Sequence, residues 1–203
     1  MTAMPDPSRR RVLQLGVGAL VATAGCSDET TGGGPPEEYV YVEDPQWVSV
    51  RAGGTEPVVS RPDEEEEEEE SRFHYTLLLS ESSASELTFR REPDGVEAAR
   101  SFVDETRFDE ETLFVYQTTV RQCYTKELPY LSREPSKRVP RPGFCTRLRP
   151  PDVACSVDAE DTEVHFVRLP VGLDDRPRSY GFDSGGDCDP RQGPSTDDGG
   201  GGQ

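Results

Sequence analysis

The side chains able to do chemistry are few, and the cysteines come first among them. The chain holds five, and four of these, Cys123, Cys145, Cys155 and Cys188, follow one another at spacings of 22, 10 and 33 residues. An even set of thiols supports either oxidation in pairs or ligation of a metal. Structural zinc sites draw their thiolates from close C-x2-C pairs, and none of these spacings is close. Two disulfides are therefore expected, with three connectivities open. The shortest loop would join Cys145 to Cys155 and leave Cys123 to tie down Cys188.

The two histidines, His74 and His165, each sit in an apolar, strand-like run, Phe73-His74-Tyr75 and Val164-His165-Phe166. A packed imidazole is the ordinary outcome there, and no acid or nucleophile stands at a spacing that would make either a general base. Asp63 and the run Glu64 to Glu70 form a block of consecutive acids. A calcium site interleaves carboxylates with glycine and backbone carbonyls, so an unbroken acidic run reads instead as a solvated insert. No dinucleotide fingerprint, P-loop or H-E-x-x-H is present. The sequence assigns no catalytic residue, no metal and no cofactor.

Cys26 belongs to a different pattern. Residues 8 to 13 read Ser-Arg-Arg-Arg-Val-Leu, and a mildly apolar stretch runs from Val12 to Ala24. Thirteen residues of helix span only about 20 Å, too little for a hydrocarbon core of about 30 Å. A basic region before a short apolar one reads as a secretory leader. Arg9 and Arg10 ahead of two apolar residues resemble the twin-arginine export motif, with Val12 and Gln14 in place of its usual Phe and Lys. The stretch ends Val21-Ala22-Thr23-Ala24-Gly25-Cys26, similar to a lipobox, in which the cysteine becomes the lipidated first residue of the mature chain. One acyl chain anchors only marginally, so a two-chain lipid on Cys26 is implied. Over about the first 30 residues the chain thus resembles the twin-arginine-exported lipoproteins of halophilic archaea. The resemblance implies a leader over 1–25, anchoring in membrane lipid through Cys26, and a place on the extracellular face of the cell membrane.

One further likeness leads nowhere. Asp183-Ser184-Gly185-Gly186 is similar to the nucleophile loop of chymotrypsin-like proteases. Phe182 stands where that family has glycine, however, and the chain is too short for two six-stranded barrels. A glycine-rich exit from the last ordered element accounts for these residues.

The charge agrees with the halophilic resemblance. Asp plus Glu number 40 against 22 Lys plus Arg, a net charge of −18, and every cation except Lys126 and Lys137 is arginine. Removing the leader takes away Asp6 and three arginines, a net +2, and leaves −20. At about 1 M salt the Debye length is roughly 3 Å, so such a charge hardly repels itself. In dilute buffer it favours expansion. The same balance excludes nucleic acid as a partner, since phosphate affinity needs clustered cations. The apolar fraction of 32% is too small for a core-rich two-domain enzyme, and no apolar run is long enough for a membrane span.

The elements that would position these groups are short strands. Tyr39–Val42 and Trp47–Val50 are β-prone. Phe73, Tyr75, Leu77 and Leu79 fall on one face of an extended segment, with His74, Thr76 and Leu78 opposite. Glu86–Arg90 is expected as its hairpin partner across a turn at Ser80–Ser85. Val96, Ala99 and Val103 share one helical face, with Asp94 as cap and an end by Glu105. Leu113–Arg121 is the strongest strand, apolar on both faces in its first half. Cys123–Leu131 continues or pairs with it, Pro129 marking an edge or bend. Residues 133–151, with five prolines, read as irregular loop, and Thr162–Leu169 as the last strand.

The expected fold is mainly β: a small β-sandwich or open barrel with one short helix, flanked by disordered acidic and glycine-rich segments. Segment 26–46 is the lipidated cysteine and tether, 47–183 the β-rich domain with the acidic insert 63–70, and 184–203 the tail. The expected role is a surface-anchored binding or interaction module for an envelope protein or extracellular ligand, through an apolar patch drawing on Trp47, Tyr124 or Tyr130. The alternatives are an extracellular enzyme with an unrecognised site, or an envelope component whose Glu64–Glu70 block holds cations.

Overall fold

The computed structural model describes residues 39–61 and 75–188. Eleven elements follow in order: β1 (Val40–Tyr41), β2 (Trp47–Gly53), β3 (Val59–Ser60), β4 (Tyr75–Leu78), α1 (Glu81–Ser85), β5 (Thr88–Phe89), α2 (Val96–Asp104), β6 (Thr112–Arg121), β7 (Tyr124–Arg133), β8 (Arg141–Leu148) and β9 (Glu160–Leu169). The fold is mainly β, with three antiparallel sheets in the orders β2-β9-β6-β4, β1-β7-β8 and β3-β5, none closed into a barrel.

The central sheet is built on β6 and β9, paired over their full lengths from Thr112↔Leu169 to Arg121↔Glu160. Residues 112–117 of β6 are buried without interruption, because both faces of this sheet are covered. On one face Leu113 and Val115 join Val50, Val164 and Phe166 beneath α2, which contributes Ala99 and Val103. On the other, Phe114, Tyr116, Val167 and Leu169 meet Leu128, Leu131 and Phe144 of the β7–β8 sheet. This second contact is the sandwich. Burial on both faces is what makes the first half of β6 continuously apolar.

Several expectations change. Ser80–Ser85 is no hairpin turn. Ser80 caps the short helix α1 and Ser83 answers with its own side chain, a reciprocal pair in which Ser83 N donates to Ser80 Oγ. The chain therefore turns away from β4, which pairs with β6 instead, and Thr88–Phe89 pairs with β3. The buried Gln117 amide fixes β3 in place: its Oε1 accepts from Val58 N and Val59 N at 2.9 and 3.0 Å, and its Nε2 donates to Val59 O. Among the described residues there are thus two helices rather than one. The second begins after Gly95, which takes φ +84°, so Asp94 is not its cap. Val96, Ala99 and Val103 do face inward.

The proline-rich segment 133–151 contains a regular strand, β8. Its free edge is lined by the segment after Gly181, where Phe144 N donates to Asp183 O at 2.7 Å and Asp183 N to Pro142 O at 3.0 Å. Pro142 lacks an N–H, but its carbonyl still bonds. Pro129 lies where the β7–β8 register shifts, so a bulge accommodates it within a strand that has neighbours on both sides. β1 lies inside the segment read as tether and pairs with the end of β7. Residues 184–188 lie along β8 rather than leaving the domain, with Thr146 N donating to Gly186 O and Cys188 N to Thr146 O.

At one cross-strand pair the fit excludes any larger side chain. Tyr130 faces Gly143, and a Cβ on Gly143 would stand only 2.0 Å from Tyr130 Cζ and 2.1 Å from Cε2. The phenol donates to Asp183 Oδ2 at 3.3 Å. Burial, followed by the neighbouring carboxylate, pushes its pKa up. Gly143→Ala is expected to cost about 1–3 kcal/mol, the usual range for overpacking, read as a lowered midpoint of unfolding. Tyr130→Ala removes the obstacle, so Gly143→Ala added to it should cost little more.

Candidate functional site

Arg9, Arg10, Cys26, Glu64–Glu70 and His74 lie outside the described residues. The other four cysteines do not. Cys123 pairs with Cys155 and Cys145 with Cys188, at Cα separations of 5.1 and 5.0 Å. The pairing favoured from loop length is corrected. Cys145 is held in β8, and the segment lying along that strand delivers Cys188 to it. Cys123 sits in the tight turn between β6 and β7, across from the loop that carries Cys155, with Gln122 N donating to Ala159 O at 2.8 Å beside it. Strand geometry decides the connectivity, not the shortest closure.

His165 is fully buried, among the rings of Trp47, Tyr116 and Phe144 at centroid distances of 5.9, 5.9 and 5.0 Å. Among the described residues neither ring nitrogen has a hydrogen-bond partner of ordinary geometry, and Nε2 makes a long contact of 3.5 Å with Glu163 Oε2. Ser184 offers its carbonyl, not its hydroxyl, to Lys126 Nζ at 2.6 Å. The likeness to a protease loop brings no base to this serine. Of the aromatics expected to form a patch, Tyr124 is exposed, while Trp47 and Tyr130 are partly buried against the core or Tyr41.

Two arrangements escaped the sequence reading. The first is a buried charged network. Arg51 Nε donates to Asp161 Oδ2 at 2.7 Å and Nη1 to Glu163 Oε1 at 2.6 Å, while Nη1 and Nη2 also reach Tyr124 O and Gln122 O. Glu163 further accepts from Thr125 Oγ1 at 2.7 Å and Lys126 N at 2.8 Å. Burial is the largest influence on this carboxyl and opposes ionisation. The contacts from His165, Lys126 N–H and Thr125 together outweigh it and hold the pKa below 4.5. Lys126 is shifted down, chiefly by desolvation, with Glu163 opposing. Among the described residues no set of three or more His, Cys, Asp or Glu is placed to hold a metal ion. With every acceptor of Glu163 engaged, the network is a clamp joining β2, β9, the turn between β6 and β7, and the start of β7.

The second arrangement is a cleft of 660 Å³ at the outer edge of β4, lined by Arg61, Leu77, Leu79, Ser80, Ser83, Phe108, Leu173, Asp174 and Arg176. Arg61 Nη1 and Arg176 Nη2 both donate to Thr76 Oγ1, at 3.3 and 3.1 Å, and Arg176 Nη2 also reaches Leu77 O at 3.4 Å. Arg61 is engaged with Glu86 as well, at 3.6 Å. Nothing in the spacing of residues 61, 76, 174 and 176 foretells their meeting, since three separate segments supply them. Volumes of about 300–1,000 Å³ suit small ligands. Bonding, orienting and charge pairing are what this cleft can offer; it presents no nucleophile beside a base. No known protein family, curated protein or solved structure matches the chain.

Proposed function

We propose that the chain is a lipid-anchored, disulfide-stapled binding module on the outer face of a halophilic archaeal cell membrane. The observation that carries the reading is the oxidation of all four cysteines other than Cys26 into two bridges, Cys123–Cys155 and Cys145–Cys188. Paired cysteines belong to oxidising compartments, and a twin-arginine-like leader with a lipobox-like Cys26 supplies the route there. The acid excess and near absence of lysine support molar salt as the setting. Binding rather than catalysis is favoured by the open, mixed polar and apolar cleft beside β4, which would present its ligand or envelope partner to the exterior.

The proposal is tested by fractionating cells that express variants of the full chain. Changing Arg9 and Arg10 to Lys should leave uncleaved precursor inside the cell. Cys26→Ser should move the domain from the membrane fraction to the medium. Normal export of the double-lysine variant, or membrane retention of Cys26→Ser, would overturn the corresponding half of the reading.

A further inference from the structure

The cleft at the β4 edge is lined by three charged side chains: Arg61, paired with Glu86, and Arg176 and Asp174, which form no ion pair among the described residues. Arg176 is tied at a single nitrogen, Nη2, to Thr76 and Leu77. Among the described residues no carboxylate lies within ion-pair distance of its guanidinium, and Nε and Nη1 have no acceptor. Asp174, two residues earlier, lines the same cleft and likewise forms no ion pair among the described residues. Among the described residues Arg91, Arg138 and Arg149 are also held by backbone carbonyls alone, but none of them lines this cleft. The cleft also has an apolar wall of Leu77, Leu79, Phe108 and Leu173, and the hydroxyls of Ser80 and Ser83.

We infer that this cleft binds a small zwitterion with an apolar body, of the class of free aliphatic α-amino acids. With Nη2 already bonded to Thr76 and Leu77, Nε and Nη1 of Arg176 remain as separate donors, each able to make a charge-assisted bond to a carboxylate. Asp174 suits an ammonium group. The leucines and Phe108 take the aliphatic side chain, removing it from water. A simple anion would meet Asp174 with like charge, and a simple cation would meet Arg176. A zwitterion offers a partner to Arg176 and to Asp174 at once. Ligand capture deepens the binding role proposed above and rests on that reading for its biological setting. The cleft is tested in solution, however, so its failure and that of the lipid anchor are read separately.

The experiment is calorimetric titration of the purified full chain, extracted in detergent and kept in molar salt, with three probes: leucine, 4-methylpentanoate and 3-methylbutylamine. Leucine should bind, and each half-ligand should bind roughly tenfold or more weakly, the loss expected for one charge-assisted contact. Arg176→Gln should abolish the advantage of leucine over the amine, and Asp174→Asn its advantage over the carboxylate. Both residues are on the surface, so thermal midpoints near that of the parent chain verify folding. Absence of leucine binding, equal binding of leucine and 4-methylpentanoate, or unchanged affinity in folded Arg176→Gln would overturn the inference.

Discussion

Arg51→Ala is expected to destabilise the domain by about 3–5 kcal/mol, the cost of breaking a buried ion pair from one side. The reason is what remains. Asp161 and Glu163 are 5% and 2% exposed, and Arg51 is the cation bonded to both carboxylates. Glu163 keeps Thr125 and the Lys126 N–H, whereas Asp161 keeps only Gln122 Nε2 at 3.3 Å. The effect should persist in molar salt, because buried charges are screened far less than exposed ones. Arg107→Ala is the control. Its partner Glu110 and Arg107 itself are more than half exposed, so the loss should be within about 1 kcal/mol. Glu163→Gln with Asp161→Asn in the Arg51→Ala background should recover part of the stability, since neutral amides need no counter-charge. Equal losses for Arg51→Ala and Arg107→Ala would show that the clamp contributes nothing special.

The same clamp sets an acid limit. The folded pKa of Glu163 lies below its ordinary 4.5, so the group's contribution to stability is complete above pH 4.5. It is lost as the pH falls through the folded pKa, because the unfolded chain takes up the proton first. Acid titration of the thermal midpoint should therefore begin to fall near 4.5. Glu163→Gln should flatten that part of the curve.

How far the sequence could be read depended on whether local pattern and tertiary contact agreed. Leu113–Arg121 and Thr162–Leu169 were legible because their alternation, or its loss in the first half of β6, follows directly from which faces are covered. Val96, Ala99 and Val103 were legible for the same reason, at helical period. Ser80–Ser85 was misread because five polar residues suit a turn as well as a one-turn helix. Only the Ser80–Ser83 reciprocal bonding separates the two. β8 was hidden by Pro140 and Pro142, since what makes it a strand is its ladder with β7 and the distant segment 181–188 along its other edge. The clamp was illegible for a different reason. Asp161 and Glu163 look like any others among 40 acids until β7 covers their face. Their one local signal was position. They share a strand face with His165 and Val167, in a strand whose opposite face was already apolar at Val164 and Phe166. A strand apolar on one face and charged on the other ordinarily has its charged face in water, and here β7, of the facing sheet, closes over it.

Loss of the Cys145–Cys188 bridge is expected to have the second large effect, about 2–4 kcal/mol for Cys145→Ala with Cys188→Ala. The bridge spans 43 residues, a loop long enough for cross-linking to restrict the unfolded chain substantially. It also closes the segment that places Phe182 against Tyr116 at 4.7 Å and against Phe114 at 5.3 Å. Lys126 Nζ, donating to Ser184 O, and the Asp183 backbone bonds then hold that segment without covalent help. Its release should therefore be local before it is global. Limited proteolysis of the double-alanine variant should cut near Ser184–Asp187 under conditions where β6 and β9 still resist. The pair Cys123→Ala with Cys155→Ala should instead loosen the loop 149–159 and leave the C-terminal segment protected. Peptide mapping without reduction gives the prior check, because the two bridges join different peptides. Recovery of Cys145 linked to Cys155 would overturn the connectivity and, with it, the assignment of each phenotype to its end of the sandwich.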